Sequence, residues 1–293
     1  MRIVFIGVVE FSLRALERLL VMKAEVVGVC TLRESQHNAD HADLAALCER
    51  FSVPWIYAED INSAETLDWI EDRAPDVIFC FGWSRLLKGN LLGAAPLGVV
   101  GYHPAALPAN RGRHPLIWAL VLGLERTAST FFFMDAGADS GDILSQREIL
   151  IDDADDARTL YDKVTQSALQ QIEEFVPQLA SGDYRRHKQD ERLANTWRKR
   201  GMADGKIDWR MSARSIHNLV RGLAKPYVGA HFVVDGKEIK VWKTSVIDIA
   251  PRNMEPGKVL AQKNAGPVVK CGEDAICLLA TEPPFQPAIG SYL

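Results

Sequence analysis

The chain has 293 residues, 47% of them hydrophobic and 25% charged, and a formal net charge of −4. That composition excludes a disordered or fibrous chain and leaves room for one large domain and a small one. The acidic balance argues against a general nucleic-acid binder, which usually carries a basic excess, and no apolar run approaches the roughly 20 residues of a membrane span.

Taken in chain order, residues 2–7 read as a buried strand, and Glu10 follows too soon for a secretory signal. A reduced, cytoplasmic protein is expected. Residues 11–22 carry Leu13, Leu16, Leu19 and Leu20 at helical spacing, with Ser12 as a candidate cap. Strands are expected at 26–31, 55–57, 77–80, 97–102, 129–134 and 143–151, and helices at 42–51, 64–73, 116–123 and 156–179. Strands alternating with helices imply an α/β domain whose Rossmann-like, mostly parallel sheet is covered on both faces. Gly7-Val8-Val9 does not make the glycine-rich phosphate cradle, so no dinucleotide site is expected there.

Residues 181–208 are charged and glycine-containing and read as a linker. After a helix at 213–223 come five short apolar runs, at 231–234, 239–246, 257–261, 268–271 and 275–279. Strands at that spacing suggest a small OB-like β-barrel. The expected organisation is therefore a catalytic domain at 1–180, a linker at 181–208 and a small barrel domain at 209–293. The five cysteines read as free thiols, Cys30 and Cys80 as buried ones, and the Cys271-to-Cys277 step is not a zinc spacing. No metal is expected. His37 and His41 read as an exposed loop, and Trp209 and Trp242 as packing residues.

Two loops carry the chemistry. The first is Gly101-Tyr102-His103-Pro104-Ala105-Ala106-Leu107-Pro108-Ala109-Asn110-Arg111-Gly112-Arg113-His114-Pro115, which begins as an apolar run ends. The second is Asp135-Ala136-Gly137-Ala138-Asp139-Ser140-Gly141-Asp142, which follows Phe131-Phe132-Phe133-Met134. Ends of strands are where open α/β sheets place their sites. A histidine beside an aspartate is a simple proton-handling pair near neutral pH. Asp135 and Asp142 read as turn or cap residues, and Phe131–Phe133 as core.

On these loops the chain resembles the folate-dependent formyltransferases. The resemblance extends from Arg2 to about Leu279 and includes Gly205-Lys206-Ile207-Asp208-Trp209 and the segment from Val220 to Ala230. Arg-Gly-Arg-His-Pro-Leu-Ile-Trp at 111–118 looks most like the branch acting on nucleotide-linked amino sugars. The resemblance implies His103 as the catalytic imidazole and Asp139 as the carboxylate. Two positions depart from the family: its catalytic asparagine falls on Gly101, and the serine after its His-Pro falls on Ala105. Asn110, the Tyr102 hydroxyl and His114 are the nearest replacements for the missing oxyanion donor, and Asn110 has the right chemistry.

The implied formyl donor is N10-formyltetrahydrofolate, in a slot formed by Phe81, Gly82, Trp83, Leu86 and Leu87 on one side and Ala136, Gly137, Ala138 and Asp139 on the other. Arg85 is a candidate for the glutamate tail. Tyr102, Arg111 and Arg113 are candidates for the acceptor, the two arginines as an anion clamp. The leading expectation is formylation of a nucleotide-linked amino sugar, with a homodimer possible. The alternatives are a methionyl-tRNA formyltransferase and a non-catalytic folate- or nucleotide-sugar-binding relative. With no basic run at 33–41, tRNA is read as an unlikely partner.

Overall fold

A computed structural model describes residues 1–35, 38–248 and 251–293. His37 of the expected histidine loop lies outside them. The chain forms two compact units, one of residues 1–112, 127–149 and 162–197, the other of residues 113–126, 150–161 and 198–293.

In chain order the first elements are β1 (Arg2–Ile6), α1 (Glu10–Val21), β2 (Glu25–Thr31), α2 (Ala45–Phe51), β3 (Trp55–Tyr57) and α3 (Ala64–Glu71). Then come β4 (Val77–Cys80), a single-turn α4 (Gly89–Leu92), β5 (Val99–His103), β6 (Arg111–Gly112) and α5 (Pro115–Val121). β7 (Arg126–Phe133), β8 (Ile143–Leu150), the long α6 (Ala157–Ser181) and β9 (Thr196–Trp197) follow. The last group is α7 (Ala213–Gly222), β10 (Ala230–Val234), β11 (Lys237–Ile247), β12 (Val259–Lys263), β13 (Gly266–Lys270) and β14 (Ala275–Glu282).

The large sheet runs β3-β2-β1-β4-β5-β7-β8. Its first five strands are parallel and β7 is antiparallel to β5. Every residue of β4 is buried, as a strand covered on both faces requires. Strand order reverses between β1 and β4, which opens a crevice at their carboxyl ends. Ser12 stitches that junction. Val9 is the capping residue of α1, and Ser12, three positions on, contributes to the cap by accepting from the Val9 amide at 3.2 Å. The same hydroxyl accepts from the Val8 amide at 3.2 Å and donates to the Phe81 carbonyl at 2.5 Å. Gly82 follows with φ +71°, and a Cβ there would lie 2.2 Å from Val9 Cγ2, so only glycine fits the turn. Phe79, Phe81, Phe131 and Phe175 pack ring on ring beneath it, with centroids 4.8–5.9 Å apart.

The second unit is built on an antiparallel sheet, β10-β11-β14-β13-β12. Ile216, Leu219 and Val220 of α7 join Phe232, Val241, Ile276 and Leu278 of the sheet in one buried core. Ser212 caps α7 by accepting from the Ser215 amide at 3.1 Å, a contact worth about 1 kcal/mol. His217 on the same helix meets the Thr244 hydroxyl at 2.9 Å.

Burial, with Arg221 and Arg214 nearby, holds the His217 pKa below its ordinary 6.5. The folded state therefore binds a proton less readily than the unfolded one. Stability is expected to be intact above pH 6.5 and to fall as pH drops from there toward the folded-state pKa. Denaturant melts of the wild type and His217→Gln check this. The variant should lose part of the acid-side slope, and an unchanged slope would count against His217.

All five cysteines are free of disulfides and buried, and burial pushes the Cys30, Cys48 and Cys271 thiols up to about 12. Among the described residues no helix is long and apolar enough to cross a membrane.

Candidate active site

Side chains alternate along a strand, so Gly101 and His103 of β5 share one face and Tyr102 takes the other. His103 ends the strand, opposite Thr130 of β7, and is only 5% exposed. Its Nε2 lies 2.7 Å from the Asn110 carbonyl. A carbonyl can only accept, so Nε2 carries the proton and the exchangeable position is Nδ1. That atom is 3.7 Å from Asp139 Oδ2. The gap is too long for a direct hydrogen bond and leaves the two groups to meet through a shared partner.

The first unit holds this pair from several sides. Asp139 has φ +55°, and its Oδ2 accepts from the Gly112 amide at 2.8 Å. Asn110 has φ +65°, a conformation asparagine tolerates better than most residues. Its amide N–H donates to Asn195 Oδ1 at 2.7 Å. Arg111 and Gly112 pair with Thr196 and Trp197 as a short parallel ladder, β6 with β9. Asp135 makes the expected turn, its Oδ1 accepting from the Gly137 amide and the Ser140 hydroxyl at 2.9 and 2.7 Å.

The other expected site residues divide. Tyr102 points away from His103. Its ring packs on Phe11 and Phe131 at 4.2 and 4.8 Å, its hydroxyl contacts Ser129, and burial pushes its pKa well up. It is placed neither as a substrate contact nor as an oxyanion donor. Arg111 is 7% exposed and already committed. Its Nη2 donates to Gln189 Oε1 and to Glu191 Oε1, each at 2.7 Å. It is not an open anion clamp. Arg113 is engaged and falls in the second unit with His114. The Arg200 amide donates to His114 Nδ1 at 3.3 Å, and burial followed by Arg113 and Arg200 holds that pKa low.

In the slot segment Phe81 and Leu87 are core residues, whereas Leu86 is 67% exposed. Trp83 Nε1 is buried with no hydrogen-bond partner among the described residues. Ala136, Gly137 and Ala138 are exposed. Arg85 donates to the Glu59 carbonyl, and His41 Nε2 sits 3.1 Å from the Arg33 carbonyl. Gln189, Glu191 and Asn195 were not legible as site residues, because they lie in a segment that reads as a polar linker.

The space beside Gly101 is already filled. A Cβ there would stand 2.9 Å from Met134 Cγ, 3.1 Å from Met134 Sδ and 3.1 Å from Phe132 Cζ. An asparagine at this position fits only if Met134 moves.

The family model described as formyl transferase matches residues 1–176, and that for the formyl transferase C-terminal domain matches residues 201–289. The chain belongs to the formyltransferase family. A methionyl-tRNA formyltransferase of Caldanaerobacter subterraneus is 34% identical over 95% of this chain and 91% of its own length. One from Geobacter sulfurreducens is 32% identical over 95% and 88%. Among solved structures, the Helicobacter canadensis N-formyltransferase in complex with folinic acid and dTDP-3-aminofucose matches the fold with TM-score 0.71 at 16% identity, over 94% of this chain and 98% of that one.

These relatives overturn two expectations for this formyltransferase, the amino-sugar acceptor and the reading of tRNA as an unlikely partner. The identity lies with enzymes named for methionyl-tRNA, and the sugar enzymes share only the fold. The physical reason lies in charge distribution. The chain-wide −4 averages over an asymmetric molecule, in which residues 198–293 hold 15 Lys and Arg against 9 Asp and Glu. A net charge taken over both halves hid that basic region.

Proposed function

We propose that this formyltransferase moves the formyl group of N10-formyltetrahydrofolate onto the α-amino group of methionyl-tRNA. The observation that carries the reading is 34% identity, spanning 95% of the chain, to a methionyl-tRNA formyltransferase. A cytoplasmic location belongs to the same proposal.

Formyl transfer forms a bond from the amine nitrogen to the formyl carbon and breaks the bond to N10. The attacking amine must lose a proton and the departing nitrogen must gain one, while negative charge grows on the formyl oxygen. Asp139 is the acceptor of the amine proton, and its lone pairs are oriented by the Gly112 amide at 2.8 Å. His103, fixed at Nε2 by the Asn110 carbonyl, offers Nδ1 as the relay toward the leaving nitrogen. The 3.7 Å between them admits a reacting group as the shared partner.

The donor supplies the activated one-carbon unit. The unpaired indole N–H of Trp83 suits the acceptor edge of a pteridine, since an unmet buried donor costs roughly 1–3 kcal/mol until a ligand satisfies it. The exposed backbone of Ala136–Ala138 provides further polar groups, while Phe81 and Leu87 serve as the wall's packing.

Gly101 offers no side-chain donor to the formyl oxygen, and that role is assigned to the Asn110 side-chain amide. Gly101→Asn alone is expected to be destabilised by about 1–3 kcal/mol through overpacking. Paired with Met134→Ala it should recover stability and turn over no faster than wild type. A gain on the order of 10²-fold, the usual worth of an oxyanion donor, would contradict the assignment to Asn110. The acceptor is tested by offering methionyl-tRNA, free methionine and an amino-sugar nucleotide together with the donor, and weighing each product by mass spectrometry. A formyl gain on methionyl-tRNA is expected, and a gain on another acceptor alone would refute the proposal.

A further inference from the structure

The Asp139 turn is held by a side chain that takes no part in the bond changes of formyl transfer. Gln189 is 6% exposed, and its Nε2 donates to two carbonyls of the turn, Asp139 O at 2.8 Å and Gly141 O at 2.7 Å. Its Oε1 accepts two bonds from Arg111, from Nε at 3.2 Å and Nη2 at 2.7 Å. Arg111 is fixed in turn by Glu191, which meets Nη1 at 2.9 Å and Nη2 at 2.7 Å. Both amide ends of Gln189 are thus saturated, the amide nitrogen by the turn and the amide oxygen by Arg111.

The same brace reaches the carboxylate by a second route. Arg111 and Gly112 form β6, so fixing the Arg111 guanidinium also fixes the strand whose Gly112 amide donates to Asp139 Oδ2. Asp139 gains from this support, because its φ of +55° lies in the left-handed region, which aspartate tolerates better than most residues but which still costs energy for any non-glycine side chain. The three residues just before it, Ala136, Gly137 and Ala138, are small and exposed and provide little packing.

We propose that Gln189, backed by Arg111, is a positioning residue that sets the Asp139 carboxylate against His103. This rests on the role of Asp139 in the proposed function and goes beyond it by assigning a function to the segment after α6. A carboxylate displaced by ~1 Å costs ~10²-fold in a reaction that depends on its placement.

The test is a double-mutant cycle read by single-turnover formyl transfer with the full chain. Gln189→Leu is expected to slow the chemical step by ~10–10²-fold. Gln189→Glu keeps an acceptor for Arg111 but sets a carboxylate against two carbonyls, and it should be at least as slow. In an Asp139→Ala background Gln189→Leu should change nothing further. A second full loss in that background, or wild-type rate in Gln189→Glu, would overturn the proposal. Should Gln189→Leu fail to fold, Gln189→Asn, with its shorter reach, carries the same cycle. A wild-type rate in Asp139→Ala alone refutes the role of Asp139 and is thereby separate from failure of the brace.

Discussion

Replacing Asp139 by asparagine is expected to slow formyl transfer by ~10²–10⁴-fold, the usual worth of a positioned general acid or base, with little change in the unfolding midpoint. The substitution is informative because of what it keeps. An asparagine carbonyl can still accept from the Gly112 amide that now holds Oδ2 at 2.8 Å, so the turn retains its anchor and only the proton-accepting charge is lost. His103→Ala should produce a rate loss of similar size. It also leaves the Asn110 carbonyl without the donor that it meets at 2.7 Å, at a cost of about 1–3 kcal/mol. That variant is therefore expected to unfold earlier while remaining folded at 25 °C. Stopped-flow or quench measurements beside thermal melts separate the two effects. Near-wild-type rates in both variants would remove the pair from the chemistry.

Affinity for methionyl-tRNA is expected to fall by ~10²-fold or more between about 50 and 200 mM salt, as it does when several phosphates are neutralised by lysines and arginines. Donor affinity should change far less over that range. The excess of 15 basic over 9 acidic residues in 198–293 supplies the charge. Within it, Lys225 and Lys240 lie 5.3 and 5.8 Å from the ring of Trp242, a pairing of cations with an aromatic face. Charge reversal at both lysines should weaken tRNA binding and flatten its salt slope. A binding constant that ignores salt would count against a phosphate-contacting surface in this half of the chain.

Much of the frame was readable from periodicity. The buried runs that became β1, β2, β4, β5 and β7 are nearly continuous stretches of β-branched and aromatic residues, and α6 carries a long amphipathic pattern. The nearness of His103 to Asp139 was foreshadowed by the two loop motifs, since His103 ends β5 and Asp139 lies in the glycine-containing loop after β7. What escaped depends on distant contacts. Ser12 looks like a cap in sequence, and besides that local role it ties the turn after β1 to the Phe81 carbonyl, 69 positions away. Arg111 looks like an anion clamp until its partners are known, and those partners lie 78 and 80 positions on. Gln189 has no local signal at all, since a polar residue in a charged stretch is the ordinary appearance of a solvated loop. Tyr102 is the opposite case. The period of two along β5 was available in the sequence and places its hydroxyl on the face opposite His103.

The role of the His103–Asp139 pair is decided by following a labelled formyl carbon from N10-formyltetrahydrofolate under single-turnover conditions, with methionyl-tRNA in excess over enzyme. The label is expected on the methionine nitrogen at a rate set by His103 and Asp139, and Asp139→Asn enzyme of wild-type stability should leave most of it on the folate over the same time. Label that never reaches the amine with fully folded wild-type protein, or that arrives equally fast with the variant, would contradict that role.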